Sequence, residues 1–144
     1  MKEMLAVLGN SATCSTFFAA IGIALYAFTP IINWAGYIFY PFMRLFVPAN
    51  EAMVGSAGVA LGFIEITLPS LLVIAGEWTL RLRFILAVVP IASIIFIAAW
   101  VPTILAMPLP VKFTHIMVIW FERVILSVLF AGVVAMLLFP AGAV

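Results

Sequence analysis

The stretch FTHIMVIWFERVILSVLFAGVVAMLLF, residues 113–139, is almost entirely apolar and long enough for an α-helix that crosses a bilayer, which needs about 20 such residues. The whole chain has the same character: 68% of its 144 residues are hydrophobic, 8% are charged, and the mean hydropathy is +1.40. Soluble domains carry about 25% charged residues, so there is too little charge here to cover a water-facing surface. We therefore predict an all-α integral membrane protein, folded as a single transmembrane domain over residues 1–144.

Outward from this run, three more apolar stretches bring the expected number of membrane segments to about four: Ala12–Thr29, Ala52–Gly76 and Phe84–Val101. The first ends at Pro30, and the charged connector Glu77–Arg83 separates the second from the third. A proline-rich loop then leads to the last span, with Pro102, Pro108 and Pro110.

The stretch Ala52–Gly76 is interrupted near its middle. Pro69 has no N–H to donate to the carbonyl of Glu65, so helical hydrogen bonding should break between Phe63 and Leu71. The segment is then either a full crossing with a break or a re-entrant hairpin, and we favour the full crossing. VPANEA, just before it, predicts Asn50 as the N-cap.

The positive charges leave the orientation open. With a full crossing, Lys2, Arg81 and Arg83 lie on one side of the membrane, opposite Arg44 and Lys112, which weakly favours cytoplasmic termini. If the segment is a hairpin, the larger number of positive residues falls on the opposite side of the membrane.

Between the first two apolar stretches lies Ile31–Val47, in which polar residues recur at helical spacing among aromatic ones: Asn33, Tyr37, Tyr40 and Arg44. Trp and Tyr favour the headgroup level. We predict an interfacial amphipathic helix along the membrane surface, kinked at Pro41. The alternative is a tilted span with a polar packing face.

Three ionisable residues lie well inside apolar runs: Glu65, Glu122 and Arg123. Each costs roughly 2.5–3.5 kcal/mol at the bilayer centre, so each needs a partner. Glu122 lies about 14 Å along its helix, which matches the midplane depth of Glu65. Because adjacent helical positions point about 100° apart, we expect Arg123 to turn away from Glu122 and form a salt bridge with Glu65.

One guanidinium and two carboxylates leave a negative charge over, and burial disfavours that charge unless it takes up a proton or a cation. A broken helix also exposes carbonyls that bind ions and polar solutes in transporters. The predicted substrate- or ion-binding residues are Glu65, Thr67, Glu122 and Arg123, with Pro69 as the helix break. Alternatively, Arg123 bridges both acids and only locks helices together.

Other functional classes find little support. The net charge is +1 without a basic run, which argues against nucleic-acid binding. A single cysteine, Cys14, and a single histidine, His115, do not make a metal cluster. The absence of aspartate and of nucleophile or phosphate-loop motifs argues against an enzyme, and we expect no cofactor. Gly58 and Gly62 form a small-xxx-small pair that predicts close helix packing.

The order of these features resembles the C-terminal part of the YjiH-type membrane proteins, which carry a nucleoside-recognition (Gate) domain. The resemblance covers roughly Thr16–Phe139 and is carried by TPIINWAGYIFYPFMRLFVPANEA, FIEITLPSLL, RLRF and IWFERVILS, with IEITLP and WFER the most telling pieces. It implies a multi-pass protein of the bacterial inner membrane with a transport role.

The family's longer members have additional spans upstream, so the resemblance also implies a homo-oligomer or a companion membrane subunit. We accordingly expect a solute transporter or transporter subunit, for a nucleoside-like or other small polar solute and coupled to a proton or cation. The alternative is a structural or assembly membrane protein whose buried charges dock a partner subunit.

Overall fold

The computed structural model describes residues 2–93, 95–98, 100, 104, 110 and 112–140, and this part of the chain is helical without a strand. Within the described residues, seven helices follow one another: α1 Lys2–Phe28, α2 Ile31–Gly36, α3 Tyr40–Arg44, α4 Ala49–Ile64, α5 Leu68–Ile74, α6 Leu80–Ser93 and α7 Phe113–Leu138. Among them, α7 is the one that is long and apolar enough to cross a membrane. Of the expected proline-rich loop, Pro102 and Pro108 lie outside the described residues.

The segment expected to be one helix kinked at Pro41 is two short helices, α2 and α3, joined by a turn at 37–39. The kink prediction is wrong because Pro41 lies in the first turn of α3, where its missing N–H costs no hydrogen bond. One face of the segment is buried: Ile32, Gly36, Phe39, Met43 and Phe46. Both helices pack against α4. At the closest approach, a Cβ on Gly36 would lie 2.9 Å from the backbone nitrogen of Ala57.

Helices α4 and α5 form a hairpin, so the favoured full crossing is wrong. The chain doubles back: a Cβ on Gly62 would meet Pro69 at 3.4 Å, and one on Gly58 would meet Leu72, also at 3.4 Å. The residues of these pairs are seven and fourteen positions apart in the sequence. In one straight helix they would lie about 10 and 21 Å apart along the axis, so contact between them requires a reversal of the chain. Gly62 thus faces Pro69 of α5, whereas Gly58 lies between α5 and the next long helix, where a Cβ would meet Leu86 at 2.8 Å. Helix α4 begins at Ala49 after Pro48, so the predicted Asn50 N-cap is also wrong.

The start of α6 returns to the start of α4. Glu51, in the first turn of α4, accepts hydrogen bonds from the Thr79 hydroxyl at 2.6 Å and the Thr79 N–H at 3.2 Å. Helix α6 therefore runs parallel to α4, with α5 as the short returning arm. Helix α6 ends at Ser93, short of the expected span Phe84–Val101.

Helix α7 packs antiparallel to α6 and closes the bundle. Near one end Arg81 Nε donates to the carbonyl of Phe139 at 2.6 Å, and further along Arg123 Nη2 donates to the carbonyl of Ala92 at 3.0 Å. The buried stripe of α7 recurs at helical spacing and faces α6 and α3: Ile116, Trp120, Val124, Val128, Ala131 and Ala135. Gly132 meets Phe46 of the segment after α3, where no larger residue fits without displacing the ring.

Candidate functional site at the helix interruptions

The tip of the α4–α5 hairpin is an interruption of helical structure, as the sequence predicts. Helix α4 ends at Ile64, and Glu65 adopts extended backbone angles of φ −152° and ψ 132°. Helix α5 starts three residues after Glu65, with Pro69 in its first turn. Pro69 has no N–H to donate to the carbonyl of Glu65, and that carbonyl accepts the N–H of Leu68 at 3.2 Å instead.

A second interruption, which the sequence analysis missed, meets the first. Pro90 inside α6 lacks the N–H for a helical bond, and the Ser93 hydroxyl donates to the carbonyl of Pro90 at 3.0 Å. After α6 ends, a new helical turn begins at Phe96, whose carbonyl accepts the N–H of Trp100 at 3.2 Å. The sequence signal for this second interruption was Pro90, which lies inside an apolar run just as Pro69 does.

The two interruptions satisfy each other's backbone groups. The last carbonyls of α4, those of Phe63 and Ile64, accept the N–H groups of Ile97 and Ala98 at 2.8 and 3.3 Å. A helix end leaves unpaired carbonyls, and the N–H groups of the turn at Ile97 and Ala98 pair with those of α4. The expectation that the break offers these carbonyls to a solute is therefore wrong for Phe63 and Ile64.

Glu65 lies at this junction and is 1% exposed. Its Oε2 atom is buried and has no hydrogen-bond partner among the described residues. Leaving a buried polar group unpaired costs about 1–3 kcal/mol, and more for a charged one. A carboxylate so placed has acceptor capacity that the fold itself does not use.

A buried donor lies on the neighbouring helix. Trp120 of α7 stacks on Phe63 with ring centroids 4.3 Å apart, and its indole Nε1 is likewise buried without a partner in the described part of the chain. Trp120 was not among the predicted site residues. The signal was its position in WFER, three residues before Arg123 on the same helix.

The predicted ion pair between Arg123 and Glu65 is wrong. Arg123 is exposed, and its guanidinium donates to the carbonyl of Ala92 near the end of α6, where a cation is favoured by the helix dipole. Glu122 is exposed on the outer side of α7, and Thr67 is exposed at the start of α5 without a capping hydrogen bond. Of the four predicted site residues, the fold buries Glu65 alone.

Arg123 nevertheless acts on the junction. Ala92 is followed within a few residues by Ile97 and Ala98, the two donors to the end of α4. The bond from Arg123 to Ala92 thus joins α7 to the last turn of α6, a few residues before the segment that pairs with α4. Searches for related proteins add nothing to this geometry, because no family model, no curated protein and no solved structure matches the chain.

Proposed function

We propose that this chain is a multi-pass membrane solute transporter, or a subunit of one, whose site is the junction beside Glu65. One observation carries the proposal: a fully buried oxygen of the Glu65 carboxylate has no partner among the described residues at the point where two interrupted helices meet. Discontinuous helices that meet inside a bundle are the setting in which secondary transporters bind solutes and coupling ions. A carboxylate accepts hydrogen bonds from hydroxyl, amine or ammonium groups and attracts cations.

The proposed topology has three crossings and one re-entrant hairpin. In this topology α1, α6 and α7 cross the membrane, while α4 and α5 enter and return. The exposed surface supports this arrangement, because large apolar side chains face outward on several helices, among them Phe28, Ile74, Ile91, Phe130 and Leu137. With the hairpin, Arg44, Arg81 and Arg83 share one side, opposite Lys2 and Lys112. This balance weakly favours the side of the three arginines as the cytoplasmic side of a bacterial inner membrane.

The solute class rests on the resemblance of IEITLP and WFER to Gate-domain proteins, and is a nucleoside-like or other small polar molecule, with a proton or cation as the coupling ion. Glu65 would accept hydrogen bonds from the solute or hold the cation. Trp120 Nε1 would donate to a solute acceptor. A structural role remains the second candidate, and the exposure of Glu122 on the outer side of α7 favours it, because a partner subunit could bind this charge.

The test uses the full chain in proteoliposomes, with radiolabelled nucleosides and monovalent cations supplied outside. We expect uptake of at least one of them, and its loss in Glu65→Gln, which keeps the shape of the side chain but not its charge. The matched control is Glu77→Gln, which changes an exposed glutamate away from the junction and should leave uptake unchanged. Equal uptake by wild-type protein and Glu65→Gln would refute the site.

A further inference from the structure

Helix α7 has an outward face with its own periodicity. Exposed and half-exposed residues recur at alternating intervals of four and three: His115, Ile119, Glu122, Leu126, Leu129, Val133 and Met136. The apolar members are prominent, since Leu126 is 66% exposed and Val133 is 51% exposed. This is the a and d stripe by which two helices pack side by side, a geometry that membrane helices share with coiled coils.

Glu122 lies within this stripe, and its charge is not compensated by any of the described residues. Its carboxylate has neither an ion pair nor a hydrogen bond with any described residue, and its surroundings are an apolar groove lined by Met117, Val118, Phe121, Ile125 and Leu126. On a helix that crosses a bilayer, such a charge costs roughly 2.5–3.5 kcal/mol when it faces lipid. A second protein surface that packs on this groove and brings a cation to the depth of Glu122 would remove this free-energy cost.

The chain itself carries that cation at the required position. With Ile119 and Leu126 at a positions, Glu122 is a d residue and Arg123 is the adjacent e residue. In a parallel helix pair, the e residue of one helix flanks the d layer of the other. Arg123 uses Nη2 for the carbonyl of Ala92, and a guanidinium has five N–H donors, so further donors remain for a carboxylate.

We propose that α7 is the interface of a parallel, two-fold dimer of this chain, in which Glu122 of each copy is bound by Arg123 of the other. A two-fold axis along the membrane normal makes the contact reciprocal, so that both glutamates are paired by one symmetric arrangement. A second copy is preferred over a different subunit because the complementary charge already lies at the same depth in the same helix. The inference does not rest on a transport activity.

Disulfide trapping of the full-length protein in membranes tests the interface. In a Cys14→Ser background, Leu126→Cys should form a covalent dimer on mild oxidation. Ile91→Cys is the matched control, because Ile91 is also 66% exposed but lies on α6 rather than in the proposed α7 stripe. This variant should remain monomeric. Equal cross-linking at both positions, or none at Leu126→Cys, overturns the proposal.

A charge exchange between differently tagged copies tests the pairing itself. A copy with Glu122→Arg and a copy with Arg123→Glu should each fail to self-associate, because like charges then meet across the axis. Co-expressed, the two should co-purify, because both cross-axis pairs are opposite again. Failure of the mixed pair to associate, while the wild-type copies do, would overturn the reciprocal contact.

Glu122→Gln keeps the proposal testable if the charge-reversed variants do not fold, because it removes the charge and leaves the shape of the side chain unchanged. It should raise the dissociation constant of the dimer in detergent roughly sevenfold, the effect of losing two interhelical polar contacts of average strength in a membrane. An unchanged dissociation constant, or a wild-type protein that stays monomeric at every protein-to-lipid ratio, contradicts the proposal.

Discussion

Replacing Glu65 with methionine should make the protein more stable while removing its proposed activity. The Glu65 side chain is 1% exposed and its Oε2 atom has no partner in the described chain, so the native state carries an uncompensated desolvation cost of about 1–3 kcal/mol. Methionine has a similar volume and no polar atom. The free energy of unfolding should therefore rise by about 1–3 kcal/mol, which at about 2–4 °C per kcal/mol is a higher Tm by several degrees.

The matched control is Glu51→Met, at the other buried glutamate of the hairpin. Glu51 is 6% exposed, but its carboxylate accepts both the hydroxyl and the N–H of Thr79. Its replacement leaves two half-buried donors of Thr79 without this acceptor, so Tm should fall. The two substitutions make the same chemical change at similar burial and should act with opposite signs.

Thermal unfolding followed by tryptophan fluorescence, in one detergent and at one protein concentration, measures both shifts. If Glu65→Met lowers Tm as far as Glu51→Met does, the Glu65 carboxylate has a stabilising partner and our account of the junction is wrong. If Glu65→Met raises Tm but uptake persists, the burial is as described and the transport role of Glu65 is refuted.

Three further predictions concern the fold around the junction. Gly36→Ala should destabilise the protein by about 1–3 kcal/mol, because its Cβ would press on rigid backbone, whereas Gly62→Ala, with 3.4 Å to its nearest neighbour, should be close to neutral in the same unfolding assay. Asn50→Cys and Glu77→Cys should react with a membrane-impermeant maleimide from the same side of sealed vesicles, while labelling from opposite sides would restore the full crossing. Arg123→Gln should speed amide hydrogen exchange at Ile97 and Ala98. Unchanged exchange there would show that the bond from Arg123 to the carbonyl of Ala92 does not position these residues.

Some features of this protein follow from local sequence alone. The helix over Phe113–Leu138, the end of α1 before Pro30 and the break after Ile64 were all predicted. Each depends on a run of apolar residues or on the missing N–H of a proline, and both act within a few residues of their position. The burial of Glu65 was also expected from its place within an apolar run.

Tertiary structure decided how these pieces are arranged. Pro69 breaks hydrogen bonding whether the chain continues across or turns back, so the hairpin depends on contacts between distant parts of the chain, such as the hydrogen bonds from Thr79 to Glu51. The partner of Arg123 was equally open, because a guanidinium can be satisfied by a carbonyl at a helix end as well as by a carboxylate. Periodicity gives the direction of a side chain on its own helix, but which atoms it meets depends on where the other helices lie.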